Sequence, residues 1–193
     1  MGRNGENLAS VLRRFPKRRY AELMLLLRQA VPTMESVEAD YIETKELGLF
    51  FRERGFGRRW FADDVSDGTI QAVALFVTLL SREPGVLLEE PENSLHPWIL
   101  RSFVNLLREY ASVDSVGGVN RKTQVFMVTH SPIALDMLAA ENVYVAERTD
   151  GSTVIRCATE LVDDPAGLAR YLSENALGLG DSWFSGLLGG FPE

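Results

Sequence analysis

The chain has 193 residues, of which 46% are hydrophobic and 24% are charged, and its formal net charge is −7. These values are typical of one globular domain, or of one domain with a small appendage, and they argue against a disordered chain. No apolar run approaches the roughly 20 residues that span a bilayer. The single cysteine, Cys157, excludes an internal disulfide framework and a cysteine-based metal site. We therefore expect a cytoplasmic protein without a membrane partner.

The charge is unevenly distributed along the chain. A net charge of −7 argues against broad nonspecific binding to nucleic acid. Two basic groups nevertheless occur, and their members are Arg3, Arg13, Arg14, Lys17, Arg18 and Arg19 in the first and Arg52, Arg54, Arg58 and Arg59 in the second. Each group is either a solvated surface or a face that contacts nucleic acid or a partner, and the sequence leaves both interpretations open.

Residues 1–64 are predicted to form a lid subdomain of helices and a small antiparallel sheet. Two helices are expected, at Asn7–Phe15 and Arg18–Val31, with Pro16 between them. In the second helix, apolar residues recur at helical spacing. Two strands follow, at Val37–Glu43 and Leu47–Glu53, before a glycine-containing turn.

Residues 65–160 show short apolar strands that alternate with helices. The expected elements are a helix at Thr69–Leu80, a strand at Val86–Leu88, a helix from Pro97 to about Ala111, a strand at Gln124–Val128, a helix after Pro132 that runs to Ala140, and strands at Asn142–Glu147 and Thr153–Arg156. This alternation predicts an α/β domain with a mostly parallel sheet flanked by helices. Residues 161–193 are expected to add a C-terminal helical segment.

Polar clusters follow two of the predicted strands, at Glu89–Asn93 and at Thr129–Pro132. In open α/β sheets, chemistry is found just beyond the carboxyl ends of the strands. Two adjacent carboxylates in that place suit nucleotide hydrolysis, one to hold Mg²⁺ and the other to orient the attacking water. Glu89 and Glu90 are the candidates, and the alternative is a pair of surface glutamates in a turn.

The chain's two histidines both lie in or beside these clusters. His130, at a strand end, is suited to donate a hydrogen bond to a γ-phosphate as charge develops there, although a histidine in such a place is often structural. His96 precedes Pro97 at a helix start, where capping or an interface role is an equal interpretation. A third element, Ser66-Asp67-Gly68, combines a hydroxyl, a glycine and the free amides of a helix N-terminus, which together form an anion site. Its alternative is an ordinary helix cap.

These three elements occur in a recognisable order. In this order the elements resemble the ABC-type ATPases of the SMC, RecF and overcoming-lysogenisation-defect group, above all its stand-alone predicted bacterial ATPases. The stretches that carry the resemblance are residues 66–69, Leu87 to Pro97 and Val128 to Pro132. The resemblance extends to Leu177–Gly180 and Gly186–Gly189. It implies a partial P-loop NTPase domain of the ABC type, with ATP and Mg²⁺ as cofactors.

The resemblance also implies roles for individual residues. The signature motif, which binds nucleotide, corresponds to Ser66, Asp67 and Gly68. The D-loop, which also binds nucleotide, corresponds to residues 92–95, including Asn93 and Ser94. Glu89 corresponds to the Walker B metal ligand, Glu90 to the catalytic carboxylate, and His130 to the catalytic switch histidine. Two positions depart from the general ABC pattern, because Asp67 replaces the usual glycine and Glu89 replaces the usual aspartate. Glu89 is one methylene longer, which puts its distance to the metal in question.

The sequence contains no Walker A motif, G-x-x-x-x-G-K-[ST], whose amides and lysine hold the β- and γ-phosphates. The nearest string, Gly117–Thr123, lacks the glycine before its lysine and precedes a strand instead of following one. In the group that this chain resembles, Walker A lies in an N-terminal lobe. We therefore expect the chain to be inactive alone and to require that lobe, or a partner chain that carries it.

Three functions compete at this point. The first is ATP binding and hydrolysis as part of an ABC/SMC-like ATPase, coupled to DNA transactions or phage defence, in a homo- or hetero-oligomer. The second is a non-catalytic interaction or dimerisation module that keeps the fold. The third and weakest is a metal-dependent nuclease that uses carboxylates, which would be Asp63, Asp64, Asp163 and Asp164.

Overall fold

The computed structural model describes residues 6–81, 84–112, 123–161, 164–174, 177–186 and 188. Some residues named in the sequence analysis lie outside the described residues: Arg3, most of the rejected 117–123 string, Asp163, and residues 187 and 189. The chain divides into two compact units, Met1–Val128 and Thr129–Glu193. The division into segments at residues 64 and 160 stays a prediction.

The first unit begins with two helices and a small antiparallel sheet. These elements are α1 (Leu8–Arg13), α2 (Lys17–Ala30), β1 (Met34–Tyr41), β2 (Leu47–Glu53) and β3 (Trp60–Phe61). The strand order is β1-β2-β3, and both pairings are antiparallel. Pro16 separates the helices because it lacks an amide hydrogen and can occupy only the start of the second one.

The two faces of this sheet differ in composition. Val37, Leu49 and Phe51 are buried and belong to the same core cluster as the helix residues Leu23 and Leu27. The opposite face of the strands carries Glu38, Phe50 and Arg52, as strand alternation requires. One side of the sheet therefore holds the core and the other faces solvent.

The remainder of the first unit has the strand–helix alternation expected of an α/β domain. It contains α3 (Asp67–Leu80), β4 (Gly85–Glu89), α4 (Pro97–Ser112) and β5 (Gln124–Val128). The strands β4 and β5 pair in parallel, with Leu87 opposite Phe126. Seven of the 14 residues of α3 are buried, and the centroid of its Phe76 ring lies 6.0 Å from that of Phe103 in α4. Buried apolar contacts of this kind join the helices to one face of the parallel pair.

The other face of the parallel pair is exposed and apolar. Leu87 is 78% exposed, Phe126 58% and Val128 55%. The neighbours Val86 and Leu88, on the opposite face, are buried. Parallel strands normally have both faces covered, and among the residues that the structure describes nothing covers this one.

We expect this face to cause self-association, because exposed apolar patches favour contacts that remove them from water. Light scattering at high concentration should give a mass well above the 21.5 kDa of one chain. Phe126→Glu should shift the mass towards the monomer, whereas Phe184→Glu, at a residue that is 76% exposed in the second unit, should not. A monodisperse wild-type monomer would contradict this prediction.

The second unit is smaller and contains an antiparallel hairpin. Its elements are α5 (Pro132–Leu135), β6 (Tyr144–Thr149), β7 (Ser152–Cys157), α6 (Pro165–Glu174) and α7 (Leu179–Phe184). The strands β6 and β7 pair with each other around the predicted turn at Asp150-Gly151, and Asp150 and Gly151 both have positive φ. In the described residues, the parallel part of the fold therefore consists of β4 and β5.

The predicted helix from Pro132 to Ala140 is wrong in length. The structure ends α5 at Leu135, because the next amides bond to the third residue back instead of the fourth: Met137 N donates to Ala134 O at 3.2 Å and Leu138 N to Leu135 O at 3.0 Å. A short 3-10 turn at Ala140–Asn142 follows, so β6 begins two residues later than predicted.

Candidate functional site

The two glutamates of the predicted hydrolytic pair lie at the carboxyl end of β4. Glu89 is the last residue of the strand and is exposed. Glu90 follows it, and its amide donates to Val128 O at 2.8 Å, which extends the parallel ladder by one bond. Glu90 has a φ of 45°, a region that non-glycine residues rarely occupy and that is found preferentially at functional sites. The chain therefore turns sharply at the candidate catalytic residue.

The Glu90 carboxylate is held by the turn that follows it. Asn93 Nδ2 donates to Glu90 Oε2 at 2.9 Å, and Asn93 N donates to Glu90 O at 3.1 Å. An amide donor on one oxygen restrains the orientation of the carboxylate. A carboxylate oriented in this way is suited to position a water molecule.

Glu89 lies on the exposed face of the parallel pair, opposite Val128 in the strand register. The described residues contain no group of three or more side chains of the metal-ligating types. Mg²⁺ commonly takes one or two carboxylates and completes its octahedron with water and substrate phosphates. The single carboxylate of Glu89 fits an ion of that kind, whose other ligands come from nucleotide and water.

The signature segment forms the start of α3. Ser66 is the N-cap residue, and its Oγ accepts from Thr69 N at 3.3 Å and lies 2.9 Å from Thr69 Oγ1. Asp67 is the first helical residue and places a negative charge in the first turn. The helix-cap interpretation is therefore correct, and it is compatible with an anion site because the other first-turn amides have no partner within the helix.

Gly68 joins the signature segment to the segment after β4. A β-carbon at this position would collide with the backbone carbonyl oxygen of Ser94, so that only glycine allows the two backbones to approach this closely. Ser94 itself has a φ of 62°. This contact brings the N-terminus of α3 beside the turn that contains Asn93 and holds Glu90. Six of the predicted site residues are thus gathered in one corner of the first unit: Ser66, Asp67, Gly68, Glu90, Asn93 and Ser94.

His96 caps the next helix. Its Nδ1 accepts from Trp98 N at 3.2 Å, and its carbonyl accepts from Ile99 N at 2.9 Å at the start of α4. The capping interpretation of His96 is the one that its contacts support.

His130 belongs to the second unit. Its ring centroid lies 6.4 Å from that of Trp183, with an angle of 35° between the ring planes. The adjacent backbone is ordered by Thr129, whose Oγ1 accepts from Ser131 N at 3.0 Å. The histidine therefore lies at a strand end with an aromatic neighbour from α7.

The sequence pattern did not predict the residues that pack α5 against the start of α7. Asp136 Oδ1 accepts from Gly180 N at 2.7 Å, which ties α5 to the start of α7. A β-carbon on Gly178 would collide with the Asp136 carboxylate, and one on Gly180 with the backbone of Pro132, two residues after His130. The repeated glycines of Leu177–Gly180 were the only signal of this close packing.

Three comparisons relate the chain to known proteins. A family model described as "AAA domain, putative AbiEii toxin, Type IV TA system" matches residues 5–136. The thiamine import ATP-binding protein ThiQ of Chelativorans sp. (strain BNC1) is 29% identical over 150 residues, which are 74% of this chain and 55% of that protein. The chain thus spans about half the length of this curated relative.

A solved structure described as "Structural biochemistry of ATP-driven dimerization and DNA stimulated activation of SMC ATPases" superposes with a TM-score of 0.57. Its sequence is 13% identical, and the match covers 88% of this chain and 94% of that one. At this identity the likeness shows the fold, and it confirms the predicted α/β class. The ATPase type is supported by the AAA family model and by the ATP-binding relative. No helix in the described part of the chain is long and apolar enough to cross a membrane.

Proposed function

Because this chain belongs to the family of AAA domains described as putative AbiEii toxins of type IV TA systems, we propose that it supplies one half of an ATP-hydrolysing site. That half contains the signature segment, Walker B and the D-loop. The other half, the Walker A loop that holds the β- and γ-phosphates, comes from another lobe or another chain. ATP and Mg²⁺ are the proposed cofactors, in keeping with the ATP-binding and SMC ATPase relatives.

The observation that carries this proposal is the contact between Gly68 and Ser94. It joins the N-terminus of α3, an anion-binding feature, to the turn that orients Glu90. The contact supports the proposal because it packs the start of α3 against Ser94, the residue after the Asn93 that orients Glu90.

In the proposed mechanism each group has one task. Glu90, held by Asn93, orients the attacking water and accepts its proton. Glu89 would hold Mg²⁺, whose charge would offset the negative charge of the triphosphate. The resemblance assigns to His130 a hydrogen bond to the γ-phosphate as negative charge develops on its oxygens. Ser66 and the first amides of α3 bind the γ-phosphate of a nucleotide that is held by the partner's Walker A loop.

The chain by itself is expected to release no phosphate from ATP at steady state. Without the amides and lysine of a Walker A loop, the triphosphate is not held in position and its negative charge is not neutralised. The measurement is phosphate release by the purified chain, compared with its Glu90→Gln variant, which corrects for contaminating ATPases. Turnover that exceeds the variant's would overturn this expectation.

A non-catalytic interaction module is the second candidate, and the exposed face that contains Leu87, Phe126 and Val128 favours it. The two candidates separate when the chain is mixed with a Walker A-bearing lobe, because only the first predicts Glu90-dependent hydrolysis. Two of the four carboxylates of the nuclease interpretation cap short turns: Asp64 Oδ2 accepts from Phe61 N at 3.3 Å and Asp164 Oδ1 from Gly167 N at 2.9 Å.

The process that the ATPase serves is proposed from the relatives alone. The family description names a toxin of a type IV TA system, and the SMC description names dimerisation driven by ATP and activation stimulated by DNA. We propose by extension that ATP-dependent association of two such domains is coupled to DNA transactions or to phage defence.

A further inference from the structure

A small cleft lies at the end of α3 that is farthest from the signature segment. Its walls come from α1, from the turn between α1 and α2, and from Ser81, the C-cap residue of α3. Its volume is about 280 Å³. The 14 residues of α3 separate the cleft from Ser66 by roughly 20 Å, at about 1.5 Å of rise per residue. The cleft is therefore distinct from the proposed nucleotide site.

The polar part of the cleft lining contains two guanidinium groups. Its members are Asn7, Ser10, Arg14, Arg19 and Ser81. Among the residues that the structure describes, no carboxylate lines the cleft. The acidic residues of the surrounding stretch 6–24 are Glu6 and Glu22, and Glu22 Oε1 accepts from the Tyr110 hydroxyl at 2.8 Å. The lining therefore favours an anion, although the chain as a whole is acidic.

The two arginines are held differently. Arg19 is half-buried, and its Nη1 donates to the Ser81 carbonyl oxygen at 3.2 Å, which holds the guanidinium against the end of α3. A guanidinium has five N–H donors, so this one bond does not saturate it. Arg14 follows the last residue of α1 and is exposed. An anion in the cleft would therefore meet one guanidinium that is already oriented and a second that is open to solvent.

The start of α2 gives a separate reason to expect a negative charge here. The helix begins after Pro16, and its first turn contains Lys17, Arg18 and Arg19 and no acidic residue. Positive side chains are unfavourable at this end of a helix, because the helix dipole is positive there. Pro16 and Arg19 both line the cleft. An anion bound in the cleft would therefore offset an unfavourable arrangement of charges.

The remainder of the lining is apolar. It consists of Val11, Phe15 and Pro16. Pockets for small ligands combine apolar walls with a few polar groups, and their volumes commonly begin at about 300 Å³. The cleft is close to this lower limit. It therefore suits a small ligand, with room for a charged group and part of an organic body.

From these features we infer that the cleft binds the phosphate group of a small molecule, either inorganic phosphate or a phosphate monoester. Guanidinium groups pair with carboxylates and with phosphates. A phosphate monoester, however, carries a charge of about −1.5 to −2 at neutral pH and has three acceptor oxygens. These match the two guanidiniums and the Ser10 hydroxyl better than the single charge of a carboxylate does. The apolar residues Val11 and Phe15 would contact the organic part of an ester.

The test is isothermal titration calorimetry of the full chain with inorganic phosphate, adenosine monophosphate, adenosine and acetate, at low salt and without ATP. The two phosphate compounds should bind saturably, and adenosine and acetate should not. Arg14→Gln should weaken phosphate binding about tenfold or more, the effect of losing a charge-assisted hydrogen bond. Arg108→Gln removes the same charge at an exposed residue of α4 and should leave the affinity unchanged. Circular dichroism checks that both variants fold.

The two phosphate compounds identify the source of the phosphate group. Tighter binding of the monophosphate than of inorganic phosphate would support an ester ligand, and equal affinities would support inorganic phosphate. Absence of saturable binding by both, binding of acetate as tight as that of phosphate, or equal losses in Arg14→Gln and Arg108→Gln would overturn the inference. A loss in Ser66→Arg with none in Arg14→Gln would place the phosphate at the start of α3 and would overturn it too. Because the assay contains neither ATP nor a second lobe, its outcome is independent of the proposed ATPase function.

Discussion

Glu90→Gln is expected to lower ATP turnover by the completed site about 100-fold or more, the range that loss of a positioned general base produces. Glutamine keeps the size of the side chain but replaces the carboxylate by an amide, which cannot take the proton of the attacking water. It also places an amide group against Asn93 Nδ2, which in the wild type donates to Glu90 Oε2. The rate is to be measured as phosphate release by this chain mixed with a Walker A-bearing lobe.

Two controls make this result specific. Glu43→Gln, at an exposed residue of the turn between β1 and β2, removes the same charge and should leave turnover unchanged. ATP-dependent association should survive in Glu90→Gln, because Glu90 is assigned to the water and not to the interface. If Glu90→Gln retains more than half of the wild-type rate, Glu90 is not the catalytic carboxylate.

Ser66→Arg is expected to have the second large effect, a loss of ATP-dependent association of more than about tenfold, or about 1.4 kcal/mol. In the proposed mechanism the γ-phosphate arrives from the partner at the N-terminus of α3. Arginine has five more non-hydrogen side-chain atoms than serine, so it fills the space that the γ-phosphate should occupy. It also puts a charged group where the serine hydroxyl and the helix amides should bind that phosphate. Because the cap lies at the surface, the core beneath it should remain folded.

The sequence predicted the elements of the first unit well because their apolar patterns are local. The strands at Leu47–Glu53 and Gln124–Val128 have the bounds that the structure shows. The helix after Pro132 was the principal error, since its early end depends on contacts with distant residues. Asp136, at that end, bonds to Gly180, 44 positions along the chain, and no local pattern reports such a bond.

The candidate site was predictable in its composition and not in its geometry. Glu89 and Glu90 were predicted at a strand end, where the structure has them. The approach of Gly68 to Ser94 and the bond between Asn93 and Glu90 required the three-dimensional turn. The basic residues Arg14 and Arg19 were visible as part of a group, but the cleft that they line with Ser81 depends on the packing of α3. The roles assigned to these residues stay predictions until they are tested.

Gel filtration of this chain mixed with a Walker A-bearing lobe, with and without ATP, tests the central claim most directly. Wild type should form an ATP-dependent complex. Ser66→Ala removes the cap hydroxyl, at a cost in stability of about 1 kcal/mol, and should still associate when ATP is added. Ser66→Arg should elute at the same position with and without ATP, with its circular dichroism unchanged. If Ser66→Arg associates as well as wild type, Ser66 is only a helix cap and the signature segment does not act on a partner's nucleotide.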